Sequence, residues 1–176
     1  MTEMLRWHSF DTPVGRTYAA AGQRGLCRLT WHVPDAATFE DELALLFPGH
    51  EIAHDPQACP EVERQIDEYF AGRRRCFAVT LDLSQLSDFE RVVLQATARV
   101  PYGSTLTYSD LARAIGRPGA ARAVGNALRR NPLPLLVPCH RIVRADGTLG
   151  GYGGPHGTPE KRRLLELEAE DASNSG

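Results

Sequence analysis

Several features that would assign a protein to a special class are missing from this sequence of 176 residues. No run approaches the roughly 18 apolar residues that a membrane-spanning helix needs, and the N-terminus lacks the basic and apolar regions of a signal peptide. The four cysteines are scattered without a CxxC pair, which argues against a disulfide framework and a clustered zinc site. With 42% hydrophobic and 24% charged residues, the composition predicts a cytoplasmic globular protein with no membrane contact and no metal.

Lysine is also nearly missing, because Lys161 is the only one, and the positive charge is otherwise all arginine. Residues 97–160 hold eight arginines and three acidic residues, whereas residues 1–96 hold nine arginines and 15 acidic residues. The planar fork of arginine suits phosphate oxygens, so this basic section favours salt-sensitive contact with nucleic acid. Arginine is used along the whole chain, so the charge pattern alone does not decide the function.

The first half of the chain alternates strand and helix signals. Residues 5–33 predict antiparallel strands, and two amphipathic helices follow in DAATFEDELALLFPG and CPEVERQIDEYFAG. The segment RCFAVTLDL predicts another strand, and both Cys27 and Cys76 are interpreted as core residues. A domain boundary is predicted at DLSQLSD, which separates residues 1–85 from 86–170 and leaves 171–176 as a disordered tail. The apolar faces of the two helices are defined by Phe39, Leu43, Leu46, Val62, Ile66 and Phe70.

The second half predicts a helix-turn-helix unit. Ser87 and Glu90 form a capping-box pattern before a helix that Pro101 is expected to end. Two shorter helices follow in TYSDLARAIG and GAARAVGNALRRN, joined through Gly116 and Pro118. Any helical hairpin has a similar pattern, so this evidence is weak by itself.

The second of these two helices has few large side chains. Its small residues allow a close approach to another surface, which is either the protein core or a narrow partner such as the DNA minor groove. The projecting arginines favour nucleic acid. The small residues are Ala120, Ala121, Ala123, Gly125 and Ala127, and the arginines are Arg122, Arg129 and Arg130.

The dipeptide Cys139–His140 in NPLPLLVPCHRIV is either a buried core thiol or an activated nucleophile. Adjacent side chains face apart on a strand or helix, so His140 reaches the sulfur only across a sharp turn or through a water. A neutral imidazole can accept the thiol proton and so favour the thiolate, whereas apolar burial raises the thiol pKa. In the last predicted helix Glu168 shares the apolar face of Leu164 and Leu165. Its partner is then either the histidine or a buried arginine.

Several short motifs together resemble the O6-alkylguanine-DNA alkyltransferase family. They occur in the order and at the spacing of that family, strongly over residues 87–168 and in outline before them. The glycine-rich run LGGYGGPHG lacks the pattern of a nucleotide-binding loop and suits a pocket wall. The motifs are VPYG, TY, ARAVG, NP, PCHRIV, GYGG and LLELE.

The resemblance implies a mixed α/β (α+β) fold and a function in direct DNA repair. A ribonuclease-H-like N-terminal domain would precede a helical, winged-helix-like domain with a helix-turn-helix. The protein would act as a monomer without a cofactor, bind double-stranded DNA containing O6-alkylguanine through the minor groove, flip the base and accept its alkyl group once. Two rivals remain open: a non-catalytic lesion binder, expected to lack the cysteine, and a thiol hydrolase that turns over and ignores DNA.

The same resemblance implies a role for each site residue. Cys139 would be the acceptor, with His140 acting through a water and Glu168 behind it. Tyr108 would donate a proton to the departing guanine, and Asn131 would link the helix-turn-helix to the active site. Arg122 would fill the gap in the duplex. The remaining implied residues are Ala121, Ala123, Gly125 and Arg129 for DNA, and Tyr152, Gly153, Ile142 and Pro138 for the substrate pocket.

Overall fold

A computed structural model describes residues 2–152 and 158–175, and the chain divides after Gln85 into two compact units. The first unit contains strands β1 (Met4–Thr12), β2 (Gly15–Gly22), β3 (Gly25–Thr30) and β4 (Glu51–His54). They form one sheet in the order β3-β2-β1-β4, in which β4 alone pairs in parallel. The antiparallel strands expected within residues 5–33 are therefore confirmed.

Two helices accompany this sheet, namely α1 (Ala36–Leu46) and α2 (Pro60–Phe70). The core is aromatic: the Phe39 ring lies 5.8 Å from the Trp7 ring and 5.2 Å from the Tyr18 ring, centre to centre. The prediction of a buried Leu46 is wrong, because this residue is exposed and Phe47 is buried instead.

The strand predicted in RCFAVTLDL does not form as a regular strand. Leu81 makes a single parallel bridge to Leu26, and the Leu26 N–H donates to the Thr80 carbonyl at 2.9 Å. A strand depends on pairing with a distant segment, which a local alternating pattern does not reveal. Cys27 is buried as expected, whereas Cys76 is exposed and its prediction as a core residue is wrong.

The second unit begins with α3 (Asp88–Thr97), which starts at the expected capping box of Ser87 and Glu90. It is followed by α4 (Tyr108–Ala114) and α5 (Ala121–Arg129), and all three helices pack against one another. The turn between α4 and α5 includes Gly116 at φ +72°, a left-handed conformation that glycine adopts without strain. The predicted helix-turn-helix is confirmed.

Two short strands and a last helix complete the unit. Strands β5 (Leu106–Thr107) and β6 (Ile142–Val143) pair in parallel, and α6 (Thr158–Asn174) closes the described chain. Residues 171–174 were expected to be disordered but continue α6, since neither glycine nor proline interrupts them. No helix among the described residues combines the length and apolar character that crossing a membrane requires.

Candidate active site

The chain turns sharply at the cysteine. Cys139–Arg141 form one turn of 3-10 helix directly before β6, so neighbouring side chains leave the backbone in different directions. Both Cys139 and His140 are buried. Because β6 pairs with β5 and β5 leads into Tyr108, the sheet register brings that tyrosine beside the thiol.

Asn131 holds the sulfur. Its Oδ1 accepts from the Leu133 N–H at 2.9 Å, so its Nδ2 is the donor, to the Val137 carbonyl at 2.9 Å and to Cys139 Sγ at 3.2 Å. A hydrogen bond donated to sulfur favours the thiolate over the thiol. Asn131 lies two residues after the last residue of α5, so a contact with the thiol is made just beyond the helix-turn-helix.

His140 is bound to Glu168 and not to the cysteine beside it. The distance from His140 Nε2 to Glu168 Oε1 is 2.7 Å. Glu168 is ionised, so Nε2 carries the hydrogen and Nδ1 is left as the acceptor. Within the described residues Nδ1 has no hydrogen-bond partner, although it is buried. The imidazole is therefore oriented to receive a proton at Nδ1.

The same carboxylate also binds an arginine. Arg141 donates to Glu168 through Nε at 3.0 Å and Nη2 at 2.9 Å, and its Nη1 donates to the Val100 carbonyl at 2.7 Å. Burial would raise the pKa of Glu168, but the hydrogen bonds from His140 and Arg141 outweigh it and lower this pKa to about 2. The sequence left open whether Glu168 binds a histidine or an arginine, and in the structure it binds both.

Burial acts against the charged forms of both the thiol and the imidazole. Burial raises the pKa of Cys139, against the hydrogen bond from Asn131 and the charge of Lys161, which lower it. Burial likewise lowers the pKa of His140, against the pull of Glu168. The contacts from Asn131, Lys161 and Glu168 act in the opposite direction and favour the charged forms.

Lys161 is fully buried beside this group. Its Nζ donates to the carbonyl of Ile142 and to that of Gly151, and it lies 5.7 Å from the centre of the Tyr108 ring. Burial lowers the pKa of Lys161 to about 8, although Cys139 raises it. Its ammonium group is therefore a nearby positive charge that would stabilise a thiolate at Cys139.

The ring of Tyr108 lies between two glycines. A Cβ added at Gly125 would lie 3.7 Å from Tyr108 Cε1, whereas one added at Gly150 would lie 2.7 Å from Oη. The second distance allows no side chain, so Gly150 is required for the position of this hydroxyl. Burial raises the pKa of Tyr108, so the hydroxyl keeps its proton and can act as a donor.

Cys139, Tyr108 and the two glycines line a cavity of about 810 Å³, which is large enough for a small-molecule ligand. Gly153 lies outside the described residues. Pro138 and Ile142, which were also expected to line the pocket, are buried and are not among the residues that line this cavity, and Ile142 pairs with β5. Ala123 is exposed but also does not line the cavity. The lining residues are Tyr108, Ala121, Arg122, Gly125, Asn126, Leu128, Arg129, Cys139, Arg144, Gly150, Gly151 and Tyr152.

Comparison with known proteins gives a consistent family. A family model described as the ribonuclease-like domain of 6-O-methylguanine DNA methyltransferase matches residues 5–83. A second model, described as the DNA binding domain of 6-O-methylguanine DNA methyltransferase, matches residues 88–170. A methylated-DNA–protein-cysteine methyltransferase of Mycobacterium leprae is 40% identical over 172 residues, 98% of this chain and 97% of the relative. This chain belongs to the 6-O-methylguanine DNA methyltransferase family.

Further relatives agree with this membership. The constitutive methylated-DNA–protein-cysteine methyltransferase of Bacillus subtilis is 38% identical over 159 residues, 90% of this chain and 92% of the relative. A crystal structure of Mycobacterium tuberculosis OGT in complex with DNA matches with a TM-score of 0.80 at 38% identity and covers 94% of each chain. The fold class implied by the sequence resemblance, a ribonuclease-like domain followed by a helical DNA-binding domain, is confirmed.

Three charged residues of the site were not predicted from the sequence, namely Arg141, Lys161 and Arg144. Lys161 precedes Leu164 by three residues and Glu168 by seven, so helical spacing placed it on the same buried face. No comparable signal existed for Arg141 or Arg144, because their directions depend on the turn at Cys139. Among the described residues no group of three or more potential ligands is arranged to hold a metal.

Proposed function

We propose that this protein repairs DNA by transferring the alkyl group of O6-alkylguanine to Cys139 in a single, irreversible step. One observation carries the proposal: the buried thiol has a donor and an oriented base in place. Asn131 contacts its sulfur at 3.2 Å, and His140 is fixed by Glu168 at 2.7 Å. A non-catalytic lesion binder would need none of these contacts, so that alternative is not favoured.

The thiol is activated when its proton leaves. His140 accepts that proton at Nδ1, through a bridging water, and Glu168 stabilises the imidazolium that results. The new negative charge on sulfur is stabilised by the Asn131 amide and by Lys161. Because burial disfavours both ions, these partners make the short-lived ion pair accessible.

The transfer itself balances without any cofactor. Sulfur forms a bond to the alkyl carbon while the bond between that carbon and guanine O6 breaks. The electron pair stays on the guanine, which takes a proton from the Tyr108 hydroxyl, and that hydroxyl regains one from the imidazolium through solvent. The products are an unmodified guanine and a thioether, which has no easy route back, so each protein molecule acts once.

The DNA partner is bound by α5. Arg122 and Arg129 are exposed on this helix, whose small residues Ala121 and Gly125 allow a close approach to the minor groove. We propose that Arg122 fills the gap left by the extruded base, since the target atom cannot reach sulfur inside a duplex. The protein is proposed to act as a monomer in the cytoplasm, where its four free cysteines would stay reduced.

The test is the mass of the protein after incubation with duplex DNA that contains O6-methylguanine. We expect the thiol hydrogen of Cys139 to be replaced by one methyl group, located by peptide mapping. Cys139→Ala serves as the control and should remain unmodified. A methyl group on the exposed Cys76 instead of Cys139 would contradict the assignment and indicate unspecific alkylation.

A further inference from the structure

One arginine of the cavity wall has no part in the transfer described above. Arg144 follows β6 directly and lines the same cavity as Cys139 and Tyr108. Its side chain is exposed, and within residues 2–152 and 158–175 it forms no ion pair. Its guanidinium is therefore available to a ligand.

The turn that carries Arg144 does not need this side chain. The Arg144 N–H donates to the Thr148 carbonyl at 3.0 Å, and the Gly147 N–H donates to the Arg144 carbonyl at 3.1 Å. The carboxylate of Asp146 accepts from the N–H and hydroxyl of Thr148, at 2.9 and 2.7 Å. Backbone groups and Asp146 thus close the turn, so a structural need does not explain the arginine.

Arg144 stands on a different wall from the arginines of α5. Helix α5 approaches the Tyr108 ring at Cε1 and Cδ1 through Gly125, whereas the segment after β6 approaches its Oη and Cε2 through Gly150. Arg122 and Arg129 belong to the first wall. None of the described residues that line the cavity is acidic, so an anion at its mouth meets positive charge from both walls.

The charge of Arg144 also reaches the groups beside the thiol. Burial raises the pKa of Tyr108 and lowers that of Lys161. The positive charge of Arg144 acts on both groups and lowers each pKa. Because Arg144 and Tyr108 line the same cavity, the guanidinium shares the space that a reacting base would enter.

We propose that Arg144 binds a backbone phosphate next to the extruded nucleotide and so fixes that nucleotide while its base reaches Cys139. A base that enters the cavity carries its sugar and flanking phosphates to the mouth, where the planar fork of arginine can bind phosphate oxygens. This inference rests on the proposed function, because it requires a flipped nucleotide. It separates Arg144 from Arg122, since Arg122 acts on the duplex left behind whereas Arg144 acts on the nucleotide itself.

The first test compares single-turnover rates on three substrates that carry the same alkyl group. These are free O6-benzylguanine, a single-stranded oligonucleotide containing it and the corresponding duplex. Arg144→Gln should lose on the order of tenfold more rate on both oligonucleotides than on the free base, the effect of one charge-assisted contact. Arg162→Gln removes the same charge from an exposed site on α6 and should match the wild type on all three substrates.

The second test removes the phosphate charge and leaves the protein unchanged. A neutral methylphosphonate is placed directly 5′ or 3′ of the lesion. At one of the two positions, the neutral linkage should lower the transfer rate of the wild-type protein. The same linkage should lower the rate of Arg144→Gln only slightly, because this variant already lacks the contact between arginine and phosphate.

Two results would overturn the phosphate contact. One is an equal loss for Arg144→Gln on the free base and on the oligonucleotides. The other is the same loss for variant and wild type at both neutral linkages. If the wild type reacted with none of the three substrates, the proposed function itself would fail, which is a distinguishable outcome.

Discussion

Replacing Glu168 by glutamine keeps the shape of a buried side chain and removes its charge. The carboxylate accepts from His140 at 2.7 Å and has a pKa of about 2, so it is ionised at every pH where the protein works. A hydrogen bond to a charged partner contributes about 1.5–3 kcal/mol and a neutral one about 0.5–1.5 kcal/mol. The difference, on the order of 1.4 kcal/mol, corresponds to about one pKa unit.

The direction of the effect follows from the charge. Glu168 stabilises protonated His140, so its loss lowers the pKa of the imidazole further and makes the thiol proton harder to transfer. We expect the pH–rate profile for alkyl transfer from free O6-benzylguanine to move towards higher pH by about one unit in Glu168→Gln. The free base is used because it needs no DNA contacts.

Glu166→Gln is the matched control for this experiment, since Glu166 is exposed on the same helix. It should leave the profile in place. A shift in Glu166→Gln without one in Glu168→Gln would refute the assignment of the carboxylate. An equal loss of rate at every pH in Glu168→Gln would show a structural role only.

Glu168→Gln also leaves the buried Arg141 without its counter-charge. The free energy of unfolding should fall by about 3–5 kcal/mol, as when one partner of a buried ion pair is removed. Urea unfolding measures this loss and defines the conditions in which the variant stays folded for the rate profile. An unchanged unfolding midpoint would mean that Arg141 does not depend on this carboxylate.

Three further outcomes are expected. Cys139→Ala should abolish alkyl transfer but keep its affinity for duplex DNA in a fluorescence anisotropy titration, because that affinity comes from α5 and its arginines; a joint loss of both would contradict this. Arg122→Ala should slow transfer from duplex DNA more than from free O6-benzylguanine, since only the duplex requires extrusion; equal losses would reject the gap-filling role. The free energy of unfolding, measured by urea unfolding at a series of pH values, should fall in two stages as the pH is lowered. Burial lowers the pKa of His140, so stability falls as the pH drops below its ordinary value of 6.5, where the unfolded chain takes up the proton. Hydrogen bonds from His140 and Arg141 overcome burial and lower the pKa of Glu168 from 4.5 to about 2, so about 3 kcal/mol more is lost across that range. Constant stability between about pH 7 and about pH 3 would be inconsistent with both shifts.

Helical periodicity predicted part of the site correctly. Glu168 was expected on the buried face of the last helix from its spacing to Leu164, and the structure confirms this. Lys161 lies three residues before Leu164 and so on the same face, but lysine is rarely buried, so periodicity alone does not predict its burial. Its burial depends on the carbonyls of Ile142 and Gly151, which come from other parts of the chain.

Features that depend on pairing or on turns were less predictable. RCFAVTLDL alternates like a strand, yet only Leu81 makes a bridge, because a strand needs a partner that local sequence does not specify. The contact of Arg141 with Glu168 depends on the turn at Cys139, which changes the directions of three successive side chains. Short motifs identified the chemistry of the site, whereas its supporting contacts required the fold.

Irreversible transfer to a single thiol limits the number of alkyl groups that one protein molecule can accept, and this number can be measured. Protein is titrated with a large excess of duplex DNA containing O6-methylguanine, with a reducing agent present, and methyl transfer is followed to completion. We predict a plateau at one methyl group per protein molecule, carried by Cys139, with unmodified guanine as the DNA product. Continued repair beyond that plateau, or a plateau without methylated Cys139, would contradict direct and irreversible transfer to this thiol.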